Sequence, residues 1–166
     1  MALLYGAGDP ADGFENEAMS MAAETWSGRW WKHFGGGTVW NALTYDPDLE
    51  LLYVGVGNGD PWDRDLRSEG EGDNLFLASI VALDANTGGY VWHYQLNPGE
   101  QWDYKATMDM VLAEITIDDA PAKCLCKRRP TVFFTSSIES LVSYSAPKNT
   151  LKRHGRKESI LRPEDR

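Results

Sequence analysis

The spacing of hydrophobic residues changes from helical to strand-like at about residue 35. Residues 14–26 place Phe14, Ala18 and Met21 at intervals typical of one helical face, among good helix formers. Further along the chain, short apolar runs separated by turn-forming residues replace this spacing. The pattern predicts one short helix followed by β-structure.

The apolar runs pair into hairpins. They fall at residues 39–45, 49–56, 75–84, 90–96 and 110–118. Asp46-Pro47-Asp48 separates the first pair and Ala85-Asn86-Thr87-Gly88 the second, and both segments favour tight turns. Repeated hairpins without helices between them predict an all-β chain built from small antiparallel sheets, as in the blades of a propeller.

A polar segment, residues 58–73, lies between the two hairpins. The spacing of its acidic residues does not fit a calcium-binding EF-hand loop, so we predict a solvated loop. The glycine-rich run at 55–59 precedes no helical pattern, which argues against a nucleotide-binding loop. Three consecutive glycines at 35–37 are costly in backbone entropy, and they indicate a close approach to the main chain just before Thr38 and Trp40.

The composition indicates the class of protein and bears on targeting and metal binding. The 166 residues are 42% hydrophobic, which indicates a globular chain, and no run is long enough to span a membrane. The first five residues lack the basic start of a signal peptide, so we expect none in this chain. Cys124 and Cys126 form a lone C-x-C pair, a weak signal for a metal site.

The net charge of −9 is unevenly distributed. Residues 123–166 hold 11 of the 16 Lys and Arg residues but only 4 of the 25 Asp and Glu residues. All 7 tryptophans lie before this segment and both cysteines lie within it. Such a split indicates either an acidic domain with a basic, nucleic-acid-binding or membrane-binding tail, or a tail read in another frame.

Three stretches carry a resemblance to a known family. Residues 82–92, ALDANTGGYVW, match the tryptophan-docking motif A-x-D-x-x-T-G-x-x-x-W of eight-bladed quinoprotein dehydrogenase propellers. Residues 24–62 resemble the central segment of the alcohol dehydrogenases that use pyrroloquinoline quinone (PQQ). Residues 100–104, EQWDY, resemble that family's W-D-[YF] segment. The resemblance extends from about Gly8 to Lys123.

This resemblance implies a fold and a division of the chain. We expect an all-β, partial β-propeller of two to three blades from the eight-bladed family, with one short helix. Residues 1–122 would form the PQQ-binding part. Residues 123–166 would be a basic, poorly structured tail outside the family's reading frame, because the family continues with a G-F-F-Y-V-L-D-R type of segment. Codon choices exist that encode GFFYVLDR in the neighbouring frame.

The resemblance also implies roles for four residues. Trp40 would lie against one face of PQQ, and Thr38 would contact the polar edge of the quinone. Asn58 and Asp103 would be ligands of the calcium ion that holds PQQ, since hard cations take oxygen donors. Asp103 would also be the catalytic base that removes the alcohol proton, while calcium polarises the quinone carbonyl.

Each role has a structural alternative. Trp40 could be a core aromatic residue, Asn58 a turn residue with a positive φ angle, and Asp103 a loop cap. Lys105 departs from the family, whose members usually carry a small or hydroxylated residue there. A lanthanide-using relative would carry an aspartate at this position, so a lanthanide is disfavoured. The family's glutamate metal ligand and paired-cysteine cap are expected upstream of residue 1.

The expected function is therefore that of a fragment of a PQQ- and calcium-dependent dehydrogenase. The family oxidises primary alcohols to aldehydes, passes electrons to a c-type cytochrome and acts in the periplasm. We expect this chain to be inactive alone, to bind no nucleic acid and to cross no membrane. The alternative is a non-catalytic β-propeller remnant of a disrupted gene.

Overall fold

The computed structural model describes residues 8–34, 36–41, 43–117, 119–127, 140–145 and 150–154. The chain forms two compact units, Met1–Asp109 and Met110–Arg166. Among the described residues, no helix is long and apolar enough to cross a membrane.

The described residues of the first unit form one antiparallel sheet and two short helices. The helices are α1, Glu17–Ala23, and α2, Arg64–Ser68, and single 3₁₀ turns occur at Pro10–Asp12 and Trp30–His33. The strands are β1, Thr44–Asp46; β2, Leu51–Gly55; β3, Ser79–Asp84; and β4, Tyr90–Gln95. They lie in the sheet in chain order, each paired with the next. Both predicted hairpins are therefore confirmed, although β1 includes only Thr44 and Tyr45 of the strand predicted at 39–45.

Helix α1 covers the core of this unit and is shorter than the predicted span of 14–26. It begins at Asn16, whose side chain accepts a hydrogen bond from Met19 N at 3.0 Å. This bond satisfies one of the N–H groups that a helix start leaves without a partner. Met19 and Ala22 are fully buried and belong to one hydrophobic cluster with Phe76 and Val81.

An aspartate at the end of one strand organises each hairpin turn. Asp46 Oδ1 accepts hydrogen bonds from the backbone N–H groups of Asp48 and Leu49, at 3.0 and 3.2 Å. Asp84 Oδ1 accepts from the N–H and the hydroxyl of Thr87, at 2.7 and 2.8 Å. The bonds from Thr87 lower the pKa of Asp84. The Asp-x-x-Thr part of the sequence motif is thus a side-chain-stabilised turn.

The β3–β4 pair contains a bulge. Ala82 lies opposite Trp92, whereas Leu83 lies opposite Tyr90, so Val91 is an extra residue in β4. The indole of Trp92 is buried and packs against Tyr53, with ring centroids 5.6 Å apart.

The second unit contains a second four-stranded antiparallel sheet. Its strands are β5, Met110–Ile117; β6, Ala120–Lys127; β7, Ser140–Ser145; and β8, Thr150–His154. The predicted boundary at residue 122 falls within β6, and β7 and β8 lie in the segment predicted to be a tail. The domain boundary and the change of frame stay predictions. Cys124 and Cys126 form no disulfide bond, and burial raises the pKa of both thiols.

The segment 58–73 is not the solvated loop that we predicted. It contains α2, which begins at Asp63, whose side chain accepts hydrogen bonds from Asp65 N and Leu66 N. Arg67 on this helix is only 1% exposed. The prediction was wrong because the segment is mostly polar. The spacing of its residues does not distinguish the buried Arg67 from an arginine exposed to solvent.

Candidate cofactor and cation site

The segment after the glycine triplet lies directly beside residues 56–60. Gly57 N donates a hydrogen bond of 2.9 Å to Thr38 O, and Asp60 N donates one of 3.2 Å to Gly36 O. A Cβ atom at Gly37 would lie 2.9 Å from the carbonyl oxygen of Gly57. Real side chains do not tolerate that distance, so a glycine at 37 lets the two backbones meet. The close approach predicted from the glycines is thus between two segments of this chain.

This pairing brings Trp40 against Gly57. A Cβ atom at Gly57 would overlap the six-membered ring of the Trp40 indole. The other parts of the ring remain accessible, since Trp40 is 53% exposed. Trp40 is therefore not a core aromatic residue. It presents a flat apolar surface at the edge of the unit.

Lys105 connects Trp40 with Asp103. The Lys105 ammonium nitrogen lies 5.9 Å from the centroid of the Trp40 ring, within the range of a cation–π interaction. The same nitrogen lies 3.3 Å from Asp103 Oδ2. The Asp103 side chain is 61% exposed, so its carboxylate is open to solvent or to a ligand.

Glu100 shapes the loop that carries Asp103. The carboxylate oxygen Oε1 of Glu100 accepts hydrogen bonds from Trp102 N at 2.6 Å and from Tyr104 N at 2.8 Å. Between these two residues, Asp103 adopts a left-handed φ of 62°. A non-glycine residue is strained in that region, and the two hydrogen bonds on either side hold it there. Glu100 itself is fully buried.

Arg67 in turn holds Glu100. Its Nη2 donates to the backbone carbonyl of Glu100, and its Nη1 donates to the carbonyls of Pro61 and Trp62 at 2.7 and 3.1 Å. Nε and Nη2 both donate to Asn74 Oδ1, at 3.3 and 3.2 Å. Burial lowers the pKa of Arg67, and the nearby Glu100 carboxylate opposes that effect. Sequence reasoning missed Arg67, Asn74 and the role of Glu100.

Asn58 directly follows Gly57, the residue against which Trp40 packs. Its side chain is half-buried, and its Nδ2 donates to Gly59 O at 3.3 Å. Because the amide nitrogen is the donor, Oδ1 is the end of the side chain that can face a cation. Asn58 is not among the described residues with a positive φ angle, so the alternative role as a left-handed turn residue does not hold. The Thr38 side chain is exposed on the same segment as Trp40.

The residues present fit a flat cofactor and a hard cation in kind. The accessible indole of Trp40 suits stacking with a planar ring system. Asp103 and Asn58 carry the oxygen donors that calcium prefers, although calcium takes 6–8 such donors. In the described ranges, no group of three or more His, Cys, Asp or Glu residues could hold a metal alone. Further donors would have to come from the cofactor, water or other segments.

Comparison with known proteins decides the family. Residues 8–133 match the family described as the β-propeller domain of PQQ glucose/ethanol/alcohol dehydrogenases. This chain belongs to that family. The resemblance expected from the sequence motifs is confirmed, as is the all-β, partial-propeller fold.

Two curated relatives illustrate the similarity to the PQQ dehydrogenase family. The chain is 52% identical over 128 residues to quinohemoprotein alcohol dehydrogenase ADH IIB of Pseudomonas putida, covering 76% of this chain and 19% of that protein. It is 52% identical over 129 residues to quinohemoprotein alcohol dehydrogenase of Comamonas testosteroni, covering 76% of this chain and 18% of the relative. The chain thus spans about a fifth of the length of these relatives.

A solved PQQ dehydrogenase structure shows the same chain path. The structure of quinohemoprotein alcohol dehydrogenase ADHIIG from Pseudomonas putida HK5 superposes with a TM-score of 0.78 and 44% sequence identity. The match covers 92% of this chain and 22% of that one. The chain therefore has the fold of part of a PQQ dehydrogenase propeller.

Proposed function

We propose that this chain contributes part of the cofactor site of a PQQ- and calcium-dependent dehydrogenase that oxidises primary alcohols to aldehydes. By itself the chain turns over no alcohol, because it spans about a fifth of its relatives' length. The reduced enzyme passes its electrons to a c-type cytochrome, and the reaction takes place in the periplasm, as the family resemblance implies.

The four site residues have defined tasks in this proposal, and Asp103 has two. Trp40 supplies the flat surface on which the cofactor rests, and Thr38 binds its polar edge. Asn58 and Asp103 donate oxygen atoms to calcium. Asp103 also accepts the hydroxyl proton of the alcohol. When bound, PQQ with calcium supplies the hydride acceptor.

One arrangement of side chains supports the proposal most directly. Trp40 is a large aromatic residue held at the surface, against Gly57 on one side and near Asp103 through Lys105. A half-exposed indole beside a carboxylate on a braced loop is what a planar, metal-bound ligand requires. The Glu100 and Arg67 contacts support it further, since a catalytic base must be held in place.

Equilibrium dialysis of the chain against PQQ and calcium tests this proposal. Binding of PQQ should depend on calcium. Trp40→Ala should weaken it about tenfold or more, through lost stacking and apolar contact. Trp62→Ala is the matched control, because Trp62 is also exposed, at 64%. Equal loss in both variants, or PQQ binding that ignores calcium, would contradict the proposal and favour a non-catalytic propeller remnant.

A further inference from the structure

Lys105 places one positive charge between the two side chains that define the site. Its ammonium nitrogen is 3.3 Å from Asp103 Oδ2 and 5.9 Å from the centre of the Trp40 ring. The Lys105 side chain is 29% exposed, so it is partly withdrawn from water. An ammonium group in this place satisfies the Asp103 carboxylate and covers the ring at the same time.

We propose that Lys105 is a built-in counter-ion of Asp103 that competes with calcium for the carboxylate. Calcium binding then requires the ammonium group to leave Asp103. This inference rests on the proposed function, in which Asp103 is a calcium ligand. It adds that residue 105 sets the affinity for calcium. In the calcium-free chain, the Lys105 ammonium group occupies the site.

Lys105 competes with calcium for Asp103 because of its positive charge and its long, flexible side chain. An ammonium group beside a calcium ligand repels the incoming cation, and the repulsion is strong at separations of a few ångströms. The four-carbon stem of lysine lets the ammonium swing away when calcium arrives. Displacement gives up an ion pair and a cation–π contact, each of modest strength at a partly exposed position. The affinity for calcium should therefore be reduced but not abolished.

The test compares calcium affinity in neutral and charged variants of the 166-residue chain by isothermal titration calorimetry, with calcium titrated into the chain in the presence of excess PQQ, because the chain alone supplies few of the 6–8 donors that calcium takes. Lys105→Gln should bind calcium about five- to tenfold more tightly than the wild type, since it removes one exposed ion pair and one cation–π contact. Lys105→Met is a second neutral variant, with the same expectation. Lys105→Arg keeps the charge and should retain the wild-type affinity. Lys32→Gln, an exposed lysine in the 3₁₀ turn at Trp30–His33, is the control for lost charge elsewhere.

Asp103→Asn separates failure of this inference from failure of the proposed function. If calcium binds, depends on Asp103, and is equally tight with lysine, glutamine and methionine at 105, the competition is overturned while the calcium site stands. If Lys32→Gln tightens binding as much as Lys105→Gln, only net charge matters and the inference is wrong. If no variant binds calcium, or Asp103→Asn binds it as tightly as the wild type, the calcium site itself is refuted.

Discussion

Arg67 donates a hydrogen bond from Nη2 to the backbone carbonyl of Glu100, at 2.5 Å. The two residues are 33 positions apart, yet this bond joins helix α2 to the loop that carries Asp103. The side chain of Glu100 continues the connection through its hydrogen bonds to Trp102 N and Tyr104 N. A buried cation thus supports an exposed carboxylate.

Replacing Arg67 with methionine should strongly destabilise the chain. The variant leaves several buried oxygen acceptors without a donor, and each such loss costs about 1–3 kcal/mol. We expect the free energy of unfolding to fall by at least about 3 kcal/mol, measured by urea titration with circular dichroism. Arg29→Met is the control, since Arg29 is exposed and should change stability by less than about 0.5 kcal/mol. A similar small change for Arg67 would refute its bracing role.

Glu100 should control the order of the Asp103 loop. In Glu100→Ala the amides of Trp102 and Tyr104 lose their acceptor, so their hydrogen exchange should become at least about tenfold faster. Glu100→Gln keeps an amide oxygen that can take the place of Oε1, and its exchange should stay closer to the wild type. Mass spectrometry of peptides covering 101–105 measures both. Equal protection in the alanine variant would show that the loop holds itself.

A methyl group at Gly57 should displace Trp40. Gly57→Ala puts a carbon atom where the indole lies, so the ring or the backbone must move. Such overpacking costs about 1–3 kcal/mol in the free energy of unfolding. Gly8→Ala is the control, because nothing lies within 4 Å of its added Cβ. Urea unfolding gives the stability. Near-ultraviolet circular dichroism reports the indole, and an unchanged spectrum with unchanged stability would contradict the packing.

His93 should make the chain less stable in mild acid. Burial lowers the pKa of His93, its Nδ1 lies 2.7 Å from the hydroxyl oxygen of Tyr90, and its ring packs on Phe76. The folded state therefore favours the neutral imidazole. Its contribution to stability is complete above the unfolded pKa of about 6.5 and is lost as the pH falls towards the lower folded value.

Urea unfolding at several pH values between 5 and 8 measures this contribution. His93→Gln should flatten the pH dependence in that window, because the titrating group is gone. His33→Gln is the matched histidine control, since His33 is exposed. Identical slopes in the wild type and His93→Gln would assign the acid sensitivity to other groups.

The alternation of apolar runs and turns was sufficient to predict the hairpins. Strands β2 and β3 follow apolar runs, and Asp46 and Asp84 mark the turns where they were expected. Such features are local, so the sequence expresses them directly. Helix α2 was missed because five residues in a charged segment give no periodic signal.

The candidate site could be predicted only in part, for a physical reason. Trp40, Thr38, Asn58 and Asp103 came from motif resemblance, and their roles stay predictions. The residues that support Asp103 came from the structure alone. Arg67 and Glu100 meet across a long stretch of chain, and long-range hydrogen bonds leave no pattern in local spacing. Lys105 departs from the family's pattern in the sequence. Its contacts with Asp103 and with the Trp40 ring depend on the three-dimensional structure, which the sequence pattern does not reveal.

The extra residue in β4 has a consequence for how this strand can change. In an unbroken strand, Tyr90 and His93 would point to opposite faces, because their separation is an odd number of residues. The extra residue Val91 brings the two side chains to the same face of the sheet, where the rings of Tyr90 and His93 both contact Phe76. Substitution at these positions alters one contact at a time. Deletion of a single residue between 90 and 93 would instead turn the side chains at one end of β4 to the opposite face of the sheet. The length of this strand is therefore constrained more tightly than its composition.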